Sequence, residues 1–105
     1  MIAKTYNKRN RLIAVGTNSF RKTNPLQAKL AAKVGLPEKQ YLHAEIAALL
    51  SSRTKTVNRL TIERYTAEGE PALAKPCLVC QSAIDLFGVK IVEYTTSEGW
   101  VKEEL

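Results

Sequence analysis

The sequence has few residues that could form disulfides or bind a soft metal. Its 105 residues include two cysteines, one histidine and one tryptophan. In a cytoplasmic protein, a close cysteine pair is more often a metal or redox site than a structural disulfide. No apolar run approaches the roughly 20 residues that cross a bilayer, and the first residues lack the apolar core of a secretory signal. We therefore expect a single cytoplasmic domain, residues 1–105, with no membrane partner.

Acidic residues are missing from the first third of the chain. Residues 1–37 contain eight lysines and arginines and no Asp or Glu, whereas residues 38–105 carry eight basic and ten acidic residues. The formal net charge is +6. A basic region attracts phosphate groups, which favours a nucleotide or nucleic-acid partner. A basic surface that only maintains solubility is the alternative.

Hydrophobic periodicity predicts an α/β domain with a mixed sheet of four to five strands flanked by helices. The predicted strands are 2–6, 12–15, 57–65 and 89–95, with a further strand beginning at Trp100 after the turn 97–99. The predicted helices are 25–34 with Asn24 as its cap, 42–51, and a third that Pro76 opens and Gly88 closes. The order is β-β-α-α-β-α-β-(β).

Metal-binding side chains stand at the starts of two predicted helices. His43 is followed by Ala44 and Glu45, and Cys77 and Cys80 follow Pro76. A catalytic zinc site takes three nitrogen or sulfur ligands and leaves a fourth place for water, and a helix N-terminus favours thiolates. We therefore expect His43, Cys77 and Cys80 to hold Zn²⁺. Glu45 is then the general acid and base that moves protons to a ring nitrogen and a departing amine.

Two other interpretations of these residues compete with a catalytic zinc site. A Cys-x-x-Cys pair alone is also typical of thioredoxin-like redox chemistry, but that chemistry does not explain the His-Ala-Glu segment. A structural zinc site needs a fourth protein ligand, which only a carboxylate could supply in this sequence.

The segments His43-Ala44-Glu45 and Pro76-Cys77-Leu78-Val79-Cys80 together resemble the signature of the cytidine and deoxycytidylate deaminase superfamily. That superfamily includes tRNA adenosine deaminases and single-strand cytosine deaminases, and the resemblance extends from about residue 12 to residue 94. It implies a three-layer cytidine-deaminase-like fold and a zinc-dependent hydrolase that acts on cyclic amidines. It also implies that Asn18 contacts the substrate sugar and that the backbone N–H of Ala44 holds the base. Asn18 as a simple turn residue is the alternative.

The substrate is less well defined by these patterns. We expect a free cytosine nucleotide or nucleoside, with deoxycytidylate as the leading choice and Arg21 and Lys22 as its phosphate contacts. Solvation alone would also explain Arg21 and Lys22. The alternatives are a base within single-stranded DNA or RNA, bound along the basic first third, and a catalytically silent zinc-stabilised binding module. We also expect the protein to assemble as a homo-oligomer.

Overall fold

A five-stranded mixed sheet forms the centre of the computed structural model, which describes residues 1–19, 24–36 and 42–105. The strands are β1 (Ile2–Tyr6), β2 (Leu12–Thr17), β3 (Arg59–Glu63), β4 (Ile91–Thr96) and β5 (Gly99–Glu104). The helices are α1 (Pro25–Lys33), α2 (Ala44–Ser51) and α3 (Leu78–Leu86). The predicted α/β class, with a mixed sheet flanked by helices, is confirmed, and the fifth strand is present.

The strands lie in the order β2-β1-β3-β4-β5. β3 and β4 are parallel, with Leu60 opposite Val92, and α3 lies between them in sequence. All other neighbouring strands are antiparallel, and β4 turns directly into β5. None of the helices in the described ranges is long and apolar enough to cross a membrane.

The two helices whose starts carry the candidate metal ligands begin two residues later than the sequence predicts. We expected helices opening at Leu42 and Pro76, but α2 starts at Ala44 and α3 at Leu78. The reason is that His43 (φ −83°, ψ 153°) and Cys77 (φ −72°, ψ 173°) have extended backbones and occupy the N-cap positions. β3 is likewise shorter than the predicted strand 57–65, because its ladder ends at residues 59 and 63.

The two faces of the sheet differ in polarity. One face packs against the helices in an apolar core, which includes Ala3, Leu30, Ile46, Leu49, Leu60, Ile62, Val79, Ala83, Ile84 and Val92. The other face carries paired charges: Arg59 Nη1 lies 3.0 Å from Glu93 Oε1, and Lys4 Nζ lies 3.5 Å from Glu63 Oε1. The Arg59 guanidinium also lies 4.1 Å from the centroid of the Tyr6 ring.

A glycine determines how closely α2 approaches the sheet. A Cβ atom on Gly16 of β2 would lie 2.4 Å from the backbone nitrogen of Ala48 and 2.5 Å from the carbonyl oxygen of Ala44. No larger residue fits there without moving the helix. At the other end of α2, the hydroxyls of Thr5 and Ser52 are hydrogen-bonded at 2.6 Å. These contacts fix the position of α2 on the sheet, and with it the position of its N-cap residue, His43.

Candidate metal centre

The N-cap residues of α2 and α3 bring two candidate ligands to the starts of their helices. His43 caps α2 and Cys77 caps α3, and neither side chain makes a cap hydrogen bond to its own helix. Cys80 follows in the first turn of α3. Because the first N–H groups of a helix carry partial positive charge, both helix starts favour an anionic ligand atom or substrate group.

The structure brings the three predicted metal ligands together. One ligand atom from each of His43, Cys77 and Cys80 lies within 4.8 Å of the other two. His43 Nδ1 is 3.2 Å from Cys80 Sγ and 3.6 Å from Cys77 Sγ. Cys80 is buried and Cys77 is half-buried, and both are free thiols. A group of one nitrogen and two sulfur atoms at these separations could hold a metal ion.

The pKa values of the two thiols shift in opposite directions. The pKa of Cys77 is lowered to about 3, chiefly because its sulfur accepts a hydrogen bond from Cys80 and further because it lies beside His43. The pKa of Cys80 is raised, chiefly because its thiol donates that bond and further because it is buried. Cys77 is therefore the more acidic of the two thiols. Metal binding would displace the thiol protons, as it does when thiols become ligands.

Glu45 lies at the same helix start and is almost fully buried. Its side chain is 3% exposed, and its Oε1 has no hydrogen-bond partner among the described residues. Desolvation by burial raises the pKa of Glu45, and hydrogen bonds and the nearby His43 oppose that rise. A buried carboxylate oxygen without a partner is costly in a folded protein, so its retention calls for an explanation.

The predicted substrate contacts are only partly described. Ala44 is buried and is the first residue of α2, where backbone N–H groups have no acceptor within the helix. Asn18 Oδ1 accepts a hydrogen bond from the amino group of Met1 at 3.2 Å. The N–H of the next residue, Ser19, donates to the carbonyl of Leu42 at 2.9 Å. Asn18 and Ser19 therefore lie beside the residues that directly precede α2. The predicted contacts Arg21 and Lys22 lie outside the described residues.

Sequence analysis missed two residues that shape this site. Gln27 of α1 is fully buried, and its Oε1 accepts a hydrogen bond from the backbone N–H of His43 at 3.3 Å. The sequence signal for Gln27 is its spacing. It lies three positions before Leu30 and four before Ala31, so a polar residue falls on the apolar face of the helix. Gly16 comes directly after the predicted strand 12–15, whereas β2 continues through it to Thr17. Its close contact with α2 depends on tertiary packing, so no local sequence pattern predicts it.

No protein-family model matches the chain, and no curated protein matches it in sequence.

Proposed function

We propose that this chain is a zinc-dependent hydrolytic deaminase of a nucleobase. The observation that carries the proposal is the position of Glu45: a buried carboxylate oxygen with no described partner stands two residues from His43, at a cluster of one histidine and two cysteines. That combination is what hydrolysis at a metal centre requires, namely ligands for the ion and a separate group that moves protons.

The donor set suits zinc better than other common ions. Thiolate and imidazole ligands favour zinc over magnesium or calcium, which prefer oxygen. A tetrahedral site with ordinary Zn–N and Zn–S lengths separates nitrogen from sulfur by about 3.6 Å, and His43 Nδ1 lies 3.2 and 3.6 Å from the two sulfur atoms. Three protein ligands leave one coordination place open, as in catalytic sites.

The residues of the chain have distinct roles in the proposed reaction. Bound zinc would supply Lewis-acid chemistry that makes a water molecule more acidic. Glu45 would take a proton from the water, whose oxygen adds to the carbon that bears the amino group, and would pass this proton to the ring nitrogen. Glu45 would then take the second proton from the newly formed hydroxyl group and deliver it to the amine, which leaves as ammonia while the carbonyl forms. The N–H of Ala44 and the side chain of Asn18 would orient the base and the sugar.

A binding module without activity is the weaker interpretation. A scaffold gains nothing from an unpaired carboxylate oxygen at 3% exposure, because burial of an unsatisfied polar group destabilises the fold. An apolar residue at position 45 would serve a scaffold better. The Glu45 oxygen that lacks a partner among the described residues therefore supports an active site.

We propose a free cytosine nucleotide, with deoxycytidylate first, as the substrate, and a base in single-stranded nucleic acid as the second candidate. The second candidate is favoured by the exposed basic side chains Lys8, Arg9 and Arg11. They lie at the β1–β2 turn, whereas the start of α2 lies beside the opposite end of β2, where Gly16 contacts Ala44. Along a six-residue strand that separation is on the order of 20 Å, too far for the phosphate of one nucleotide.

The direct test incubates the zinc-loaded protein with cytidine, deoxycytidylate, adenosine and single-stranded oligonucleotides, and measures ammonia release and product mass. We expect deoxycytidylate to be converted to the uracil form. Glu45→Gln, which keeps the shape of the side chain, should retain zinc and lose about 10²–10⁴-fold in rate. Failure of every substrate with confirmed zinc loading, or undiminished turnover by Glu45→Gln, would contradict the proposal.

Salt dependence separates the two substrate candidates. Binding of a strand should weaken steeply with salt, with log affinity falling by roughly 0.7 per neutralised phosphate for each unit of log salt. That slope should decrease when Lys8, Arg9 and Arg11 are replaced by glutamine. Turnover of deoxycytidylate should be insensitive to the same replacements. A steep slope with an oligomer, combined with no turnover of the mononucleotide, would select the second candidate.

A further inference from the structure

Gln27 is a polar side chain in the apolar face of α1. It is 0% exposed, and its neighbours on that face, Leu30 and Ala31, are 5% and 0% exposed. Its Oε1 accepts the hydrogen bond of the His43 backbone N–H at 3.3 Å, across 16 residues of sequence. A buried amide on an apolar helix face destabilises the fold unless its hydrogen bonds are satisfied. The N–H of His43 is one partner that satisfies this amide.

The partner is the backbone of a candidate metal ligand. The N–H of an N-cap residue has no acceptor within its own helix, so an outside group has to fix it. Anchoring this N–H restrains the Cα atom of His43, from which the imidazole extends toward Cys80 and Cys77. α1 also packs against α3, which carries Cys80. Gln27 thus lies on a helix that packs against α3, and its side chain is hydrogen-bonded to the N-cap residue of α2.

We propose that Gln27 is a positioning residue of the metal centre. Its side-chain carbonyl holds the His43 backbone in a position from which Nδ1 and the two sulfur atoms can bind one metal ion. Groups that orient metal ligands from outside the coordination sphere commonly contribute about 10–100-fold to metal affinity. This inference rests on the metal site of the proposed function, but on neither the substrate nor the reaction. A purely structural contact would affect stability without affecting the metal.

The test measures zinc affinity by competition with a chelator, and coordination by the absorption spectrum of the Co²⁺-loaded protein. Gln27→Met removes the acceptor at nearly constant volume and should weaken zinc binding about tenfold or more, with a shifted Co²⁺ spectrum. Gln27→Glu keeps an acceptor oxygen and should restore most of the affinity. Leu30→Ala, on the same buried face, should lower the melting temperature and leave affinity and spectrum unchanged.

Two results would overturn the inference: wild-type zinc affinity in Gln27→Met, or an equal loss of affinity in Leu30→Ala at a matched loss of stability. If Gln27→Met does not fold, Gln27→Asn withdraws the acceptor by one carbon and is measured in the same way. Absence of deaminase activity in a wild-type protein that binds zinc would overturn the proposed function alone. Unchanged zinc affinity in Gln27→Met would overturn this inference alone.

Discussion

The start of α1 and the starts of α2 and α3 use their N-cap residues differently. Asn24 caps α1 through Oδ1, which accepts hydrogen bonds from the N–H groups of Leu26 at 2.9 Å and Gln27 at 3.4 Å. His43 and Cys77 occupy the same position on α2 and α3, yet neither makes a side-chain cap bond. Instead their side chains lie against each other, 3.6 Å apart.

The difference in capping separates a helix start that is stabilised locally from two helix starts that carry candidate metal ligands. A good N-cap side chain contributes about 1 kcal/mol to helix stability. α1 has that contribution, and the two helices that form the site lack it. Departures from local rules of stability are expected at functional sites. Substitutions at Cys77 and Gly16 test the starts of α3 and α2, and a substitution at Asn24 tests the start of α1.

The largest effect is expected at Cys77. Cys77→Ser replaces a ligand with a preferred N-cap residue, so zinc affinity should fall by more than the roughly 100-fold that outer groups contribute. The unfolding free energy of the metal-free protein should change by no more than about 1 kcal/mol, because serine can cap α3. Chelator competition and urea denaturation measure the two quantities. Wild-type zinc affinity in this variant would remove Cys77 from the site.

Gly16 should have the next largest effect. Gly16→Ala places a methyl group where a Cβ would lie 2.4 Å from the Ala48 backbone, and overpacking of this kind typically costs about 1–3 kcal/mol. Because α2 has to shift, zinc affinity should fall as well. Val15→Ala, on the exposed face of the same strand, is the control and should change neither quantity appreciably. An unchanged urea midpoint in Gly16→Ala would show that α2 is not held by this contact.

The smallest effect is expected at Asn24. Asn24→Ala should lower the unfolding free energy by about 1 kcal/mol, through loss of the cap. Zinc affinity should stay as in the wild type, since Asn24 Oδ1 accepts from backbone N–H groups of α1, and its hydrogen bonds in the described residues do not reach His43, Cys77 or Cys80. Asn24→Asp, which can still cap, is the control for the stability measurement. Loss of metal affinity in Asn24→Ala would show that α1 and the metal centre are coupled more tightly than a local cap allows.

Local patterns were enough to predict most elements but not the details of the site. The pair Asn24-Pro25 predicts the start of α1, because helix capping depends on adjacent residues. The sequence predicts the starts of α2 and α3 two residues too early, because hydrophobic periodicity does not show which residue adopts the extended N-cap backbone. The meeting of His43 with Cys77 and Cys80 spans 34 and 37 residues. Ligand chemistry and the resemblance to a known signature predict this cluster, whereas hydrophobic periodicity does not. The contacts of Gly16 and Gln27 depend on tertiary packing and were not predicted.

Zinc X-ray absorption spectroscopy on the purified protein, with the metal content measured on the same sample, tests the metal centre most directly. We expect about one zinc per chain, with two sulfur ligands at about 2.3 Å and two nitrogen or oxygen ligands at about 2.0–2.1 Å. In Cys77→Ser the remaining metal should show a single sulfur ligand or none. A four-sulfur shell, a shell without sulfur, or a protein that binds no zinc would contradict the claim that the starts of α2 and α3 form a metal centre.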